Sequence, residues 1–172
     1  CKSSKNTSKS STNAKEVEVI FPCSGSEYKS TNGLVRATGM GESMDQQIAK
    51  RMARSSALEE LTSKLGVTMK AVANDYYKSI SVNLTEDLER RFEGNALQVI
   101  NQYVSGYNIV CEKFMQKGNN YKCYLAIEIG EEEMLRSTFN TLTKDQILQV
   151  DYDYERFKKT FNDELKRFEQ NR

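Results

Sequence analysis

Apolar and polar positions change period several times along the chain. From Glu16 to Cys23, Val17, Val19 and Phe21 alternate with Glu16 and Glu18, a period of two that predicts a strand. Ser24 to Asn32 is polar and reads as a loop, and Gly33 to Gly41 reads as a second strand. Ser43 followed by Gln46 forms a capping box, the start of a helix that is expected to run to Leu65 with Gly66 as its C′ residue. Met44, Ile48, Met52, Leu58, Leu61 and Leu65 make a helical stripe, and Ala49, Ala53 and Ala57 recur every four residues beside it. Residues that small let a helix axis approach a sheet closely, and Ala37 and Gly39 on the preceding strand are small too. A second helix is expected over Val67 to Val82, and a third from Thr85 to near Gly106. Ile109 to Gln116 and Tyr121 to Ile129 read as a hairpin around Lys117-Gly118-Asn119-Asn120. Glu131-Glu132-Glu133 opens a short helix through Phe139.

The last periodic segment begins at Thr143, which forms a second capping box with Gln146. Ile147, Val150, Tyr154, Phe157, Phe161, Leu165 and Phe168 follow at steps of three and four, which predicts a strongly amphipathic helix of about seven turns. Packing onto its own domain is the default role of such a face. The alternative is a partner-binding surface through Tyr154, Phe157, Phe161 and Phe168. The expected architecture is therefore α+β. An antiparallel sheet of about four strands packs on a long Ala-rich helix, with further helices and the amphipathic C-terminal one. Residues 1–15 are a tether, 16–140 the α+β domain and 141–172 the last helix.

Composition narrows the function more by exclusion than by assertion. The 25 basic and 24 acidic residues leave a net charge of +1, so neither nucleic acid nor a broad anionic surface is implied as a partner. No apolar stretch approaches the roughly 18 to 20 residues that a spanning helix needs. Histidine is absent, which removes the commonest general base and metal ligand. No metal, cofactor or catalytic residue is expected.

The chain opens on Cys1 rather than methionine, which leads us to expect a processed end. Lys2 to Asn13 contains no large apolar side chain and is expected to be a flexible tether. A cysteine followed by such a tether resembles the mature end of bacterial lipoproteins, in which the sulfur carries a diacylglycerol and the amine is usually acylated. Several acyl chains hold a protein on a bilayer stably, whereas one does so marginally. By analogy with Gram-negative sorting, Lys2 in place of aspartate favours the outer membrane, and the lack of a following acidic run favours a periplasm-facing domain. Cys23, Cys111 and Cys123 do not have zinc-site spacing. Strand parity puts Cys23 on the face of Val17, Val19 and Phe21, and Cys123 on the face of Val110 and Phe114, with Cys111 opposite. That favours a Cys23–Cys123 disulfide; three reduced thiols is the alternative.

The stretch from Gly33 to Val67 resembles the Lpp-twenty family of bacterial envelope lipoproteins. The resemblance rests on Val35-Arg36-Ala37-Thr38-Gly39-Met40-Gly41-Glu42-Ser43, then Ile48-Ala49, Ala53, Ala57 and Leu61. With the later strands it extends over residues 16 to 130. It implies a sheet packed on a long helix and a role in the cell envelope, and it transfers no catalytic residue. The expected function is that of a non-catalytic, lipid-anchored module that binds or assembles another envelope protein. The alternative is a small-ligand or glycan carrier with a pocket between helix and sheet.

Other motifs have simpler explanations. Gly39-Met40-Gly41 lacks the third glycine of a dinucleotide fingerprint, because position 44 is Met44, and no Walker lysine follows. Cys23-Ser24-Gly25 has no histidine to activate a nucleophile. Lys50, Arg51, Arg54 and Arg36 could form a basic patch, but a solvated face is the default. Asn83-Leu84-Thr85 matches a glycosylation acceptor, but Thr85 as a helix cap is the simpler account.

Overall fold

A computed structural model describes residues 19–31, 33–79, 86–144 and 154–170. Its elements are β1 (Leu34–Ser43), α1 (Gln46–Ser79), α2 (Glu86–Val104), β2 (Asn108–Lys117), β3 (Asn120–Gly130), α3 (Glu132–Lys144) and α4 (Tyr154–Gln170). The strands form one antiparallel sheet in the order β1-β3-β2. The mixed α+β class thus stands, with three strands among the described residues.

The missing strand is the one expected over Glu16 to Cys23. Residues 16–18 lie outside the described residues, and Val19 to Cys23 is not a strand. Pro22 has no N–H for a ladder, and Cys23 takes φ 58°, so the chain turns there. A single-turn 3₁₀ helix, Ser26–Tyr28, follows. The hairpin forms as expected, with a two-residue loop in which Gly118 takes φ 60°.

The helix after β1 departs from expectation at both ends. Its cap is Asp45, whose Oδ1 accepts the N–H groups of Gln47 at 2.7 Å and Ile48 at 3.0 Å. Ser43 supplies no such cap and instead accepts from the Asp45 N–H. At the other end α1 does not stop at Gly66 but continues to Ser79. Met69, Val72, Ala73 and Tyr76 extend the buried face of Leu61 and Leu65, and that burial outweighs a helical glycine's cost of about 1 kcal/mol. Nothing lies within 4 Å of a Cβ built on Gly66. Gly66→Ala is therefore expected to raise stability by about 0.5–1 kcal/mol, seen as a higher urea midpoint at unchanged slope.

The core forms between the sheet and α1. Odd-numbered β1 residues face the helix, and Val35 and Ala37 are buried against it. On β3, Cys123, Leu125, Ile127 and Ile129 face the same way. From α1 the residues in contact are Ala49, Ala53 and Ala57, all fully buried. Met44, Ile48 and Met52, expected in the core stripe, are 74%, 40% and 49% exposed. The alanine face is turned inward because Gly39 and Gly41 admit the helix backbone to near contact, which long side chains would prevent.

The last helix packs on α1 and α3. The described part of α4 has 17 residues, fewer than the seven turns expected. Thr143 lies within α3, and Gln146, Ile147 and Val150 lie outside the described residues. Phe157, Phe161 and Leu165 are buried against α1 and α3.

Candidate functional site

The face of α4 considered as an alternative partner-binding surface is largely buried within the chain. Phe157 and Phe161 are fully buried. Phe139 packs against Phe157 at 5.5 Å and Tyr154 at 5.6 Å between ring centroids. Tyr154 and Phe168 are half-buried, and the Arg136 guanidinium lies 4.5 Å from the Tyr154 ring centroid. The domain-packing role therefore holds for this helix, and these four residues form no free surface.

The cysteines are also redistributed. Cys23 pairs with Cys111, not Cys123, at a Cα–Cα separation of 5.6 Å. Parity placed Cys111 correctly, opposite Cys123: it is registered with Ala126 and lies on the sheet face away from α1. The error lay in treating Cys23 as a strand residue. Cys123 is a buried free thiol whose pKa is raised, chiefly by desolvation and then by the Glu112 carboxylate. Cys1 lies outside the described residues.

The disulfide holds a short cover over the outer sheet face. Cys23, Tyr124 and Ala126 form a small second core with Tyr28 and Cys111 beside it, and Phe21 stacks on Tyr124 at 6.2 Å. The cover is partial. A hollow of about 680 Å³ lies between Ile20–Tyr28 and Cys111, Phe114 and Met115. Another, of about 300 Å³, is lined by Phe21, Pro22, Thr38, Met40, Ser56 and Tyr124 and wraps around the free edge of β1. Val19, Ile20, Phe21, Met40 and Met115 remain exposed around these hollows. No sequence signal marks this surface, because its apolar residues read as parts of strands.

Of the basic residues considered as a patch, Arg36 lies on β1, apart from Lys50, Arg51 and Arg54 on α1. Arg36 on the outer sheet face pairs with Glu128 at 2.8 Å, while Lys50 reaches Glu112 on β2, also at 2.8 Å. Among the described residues no group of three or more His, Cys, Asp or Glu could hold a metal ion.

One buried ion pair and one buried carboxylate with a neutral partner link the elements. Lys64 on α1 donates to Glu169 on α4 and to the Arg36 carbonyl, each at 2.6 Å. The Ser30 N–H donates to the same carboxylate at 3.4 Å. Burial would raise the Glu169 pKa, but Lys64 and Ser30 outweigh it and hold it below its ordinary value. Glu131, expected only as helix-dipole complement, is fully buried at the β3–α3 junction. Its Oε1 accepts from Asn162 at 3.2 Å, and its Oε2 has no partner among the described residues. Burial raises its pKa above the ordinary value despite the Asn162 hydrogen bond. Glu132 pairs with Lys158 and Arg136, which lowers its own pKa and raises that of Lys158. Burial and a hydrogen bond to Glu132 push the Tyr154 phenol up to about 12.

A pH effect follows from Glu131. A raised folded-state pKa means that the folded form binds the proton more tightly, so stability falls as pH rises through the shifted range. Glu131→Gln keeps the acceptor for Asn162 and carries no charge. It is expected to add about 1 kcal/mol at pH 8, with the gain narrowing toward pH 5, read from urea unfolding at both values.

Comparison with family models, curated proteins and solved structures finds no match to the chain.

Proposed function

We propose that this protein is a lipid-anchored module of the bacterial envelope that acts by binding and assembly rather than catalysis. Cys1 is the attachment site for the lipid, and the domain faces the periplasm from the outer membrane. The observation that carries this reading is the Cys23–Cys111 disulfide, 88 residues apart in sequence, which staples the outer sheet face. Such bonds persist in oxidising compartments and are rare in the cytosol. Further support comes from the polar residues after Cys1 and from the Lpp-twenty-like stretch, whose Gly39 and Gly41 meet Ala49, Ala53 and Ala57 at the β1–α1 contact. The partly covered outer face supplies apolar surface for a partner.

The small-ligand alternative needs room between helix and sheet. At Gly39 and Gly41 the two backbones touch, which argues against a pocket along that contact.

Metabolic labelling of producing cells with an alkyne fatty acid tests the anchor. Label on the wild-type protein that is lost in Cys1→Ala, with the variant released from the membrane fraction, is the expected result. Absence of label on the wild type, or label that persists in Cys1→Ala, contradicts it.

A further inference from the structure

The outer sheet face carries an apolar rim that runs from one edge strand to the other. Residues directly opposite in a ladder share a face. Met40 on β1, Tyr124 on β3 and Lys113 on β2 therefore form one outer row, and Glu42, Lys122 and Met115 form the next. Ile20 and Phe21 border the same hollow as Met115 and Lys113, and Phe21 also borders the second hollow with Met40. Val19 and Ile20 are 67% and 71% exposed, and Phe21, Met40 and Met115 are each about half exposed. At the β1 end, Thr31 and the Ser30 hydroxyl close the free edge as far as Arg36. Beyond it the edge-facing N–H and C=O groups of Thr38, Met40 and Glu42 meet no partner among the described residues, so Met40 stands clear of the cover.

The ionic groups of this face do not balance. Lys122 answers Glu42 at 3.3 Å, and Arg36 answers Glu128 at 2.8 Å. Lys113 and Lys117 share the outer parity and have no ion-pair partner among the described residues. Glu27, which borders the first hollow, offsets one of them. The sequence between Cys1 and Val19 adds Lys2, Lys5, Lys9 and Lys15 against Glu16 and Glu18. The net charge of +1 for the whole chain thus conceals a positive excess on this face and in the residues that lead to it.

Exposed apolar side chains bordered by unpaired lysines match the boundary layer of an anionic bilayer. There apolar groups enter between headgroups and ammonium groups meet phosphates. Position selects the bilayer over a protein partner. Val19 is the first described residue, and the eighteen steps back to Cys1 span at most about 60 Å. A chain held at Cys1 enters its domain beside this rim, so the lipid surface is at high local concentration, whereas a protein partner must arrive by diffusion.

We infer that the outer sheet face lies on the surface of an anionic phospholipid bilayer, through Ile20, Phe21 and Met115 with Lys113 and Lys117. The sheet, α1 and α4 then stack away from the lipid in that order. This deepens the anchored reading and rests on it, and it makes the bilayer the partner of the apolar surface.

The chain has no tryptophan, so a single indole reports its position. The full chain is joined through the Cys1 thiol to a maleimide phospholipid, in vesicles of three parts phosphatidylcholine to one part phosphatidylglycerol. Cys123 is buried and stays unmodified. Met115→Trp places the indole on the face, and Lys159→Trp places it on the exposed side of α4. Brominated acyl chains should quench Met115→Trp at least fivefold more strongly than Lys159→Trp, and its emission should move to the blue on coupling. Ile20→Glu should abolish this difference. Lys113→Glu/Lys117→Glu, or vesicles of phosphatidylcholine alone, should at least halve it. Equal quenching of the two reporters overturns the inference, as does quenching that Ile20→Glu leaves unchanged. An indole at position 115 that is already blue-shifted before coupling, and does not change, overturns it too, since the chain's own residues or a second copy would then cover the face. Chemical coupling replaces cellular acylation. A missing fatty-acid label with quenching retained therefore removes the anchor alone, and a label without quenching removes this inference alone.

Discussion

Gly41→Ala is expected to destabilise the protein by more than about 3 kcal/mol, and Gly39→Ala by a similar amount. A Cβ on residue 41 would lie 2.2 Å from the Ala49 carbonyl oxygen and 2.5 Å from the Ala53 nitrogen. On residue 39 it would lie 2.3 Å from the Ala53 oxygen and 2.4 Å from the Ala57 nitrogen. These are backbone atoms of a continuous helix, so no side-chain rotation relieves the clash. The helix must lift from the sheet, and the buried contacts of Ala49, Ala53 and Ala57 are lost with it. Intrinsic propensity has the opposite sign, since glycine weakens a strand relative to alanine, so a large loss isolates the packing effect. Urea unfolding measures it, with Gly66→Ala as the control of opposite sign. Unchanged stability in both strand variants would mean that the helix sits farther from the sheet.

Lys64→Met is expected to cost about 3 kcal/mol or more. The Lys64 side chain is only 6% exposed, and its removal leaves Glu169, whose side chain is 20% exposed, without its cation. It also leaves the Arg36 carbonyl without the Lys64 donor. Lys64→Met/Glu169→Met removes both charges and should recover most of the loss, because a buried pair is weak as a net stabiliser but expensive to break. The sign with pH is definite. Glu169 has a lowered folded-state pKa, so its contribution is present above the ordinary carboxylate range and is lost as pH falls through the folded value. The penalty of the single variant should therefore shrink in acid. A double variant no more stable than Lys64→Met at neutral pH would contradict the account.

These two contacts also mark what the sequence could and could not reveal. Period-two and period-3.6 patterns located the hairpin and the packing face of α4, because burial of one face dictates each of them, and the acidic run marked the start of α3 but not its extension to Lys144. The alanine repeat pointed to a close helix–sheet approach, yet the same reading put Met44, Ile48 and Met52 in the core. Hydrophobicity ranks methionine above alanine, whereas the glycines of β1 select the helix face by shape. Gly66 read as a stop, but tertiary burial of Met69, Val72 and Tyr76 overrode the local signal. Alternation read as a strand over Glu16 to Cys23, but its described part, Val19 to Cys23, is not one and turns at Cys23, and the disulfide assignment failed with it. Lys64 with Glu169 and the buried Glu131 carry no local signature, since their partners lie on other elements. The open half of β1 is a matter of which backbone groups find partners, and side-chain patterns do not encode that.

Native-state hydrogen exchange along β1 is the most direct measurement of the central claim, a helix laid over a strand whose second half is left unpaired. In the monomeric protein the amides of Val35, Ala37, Gly39 and Gly41 should exchange only with global unfolding, and those of Thr38, Met40 and Glu42 orders of magnitude faster. Equal protection at odd and even positions would show that something already pairs with this edge, and would contradict it.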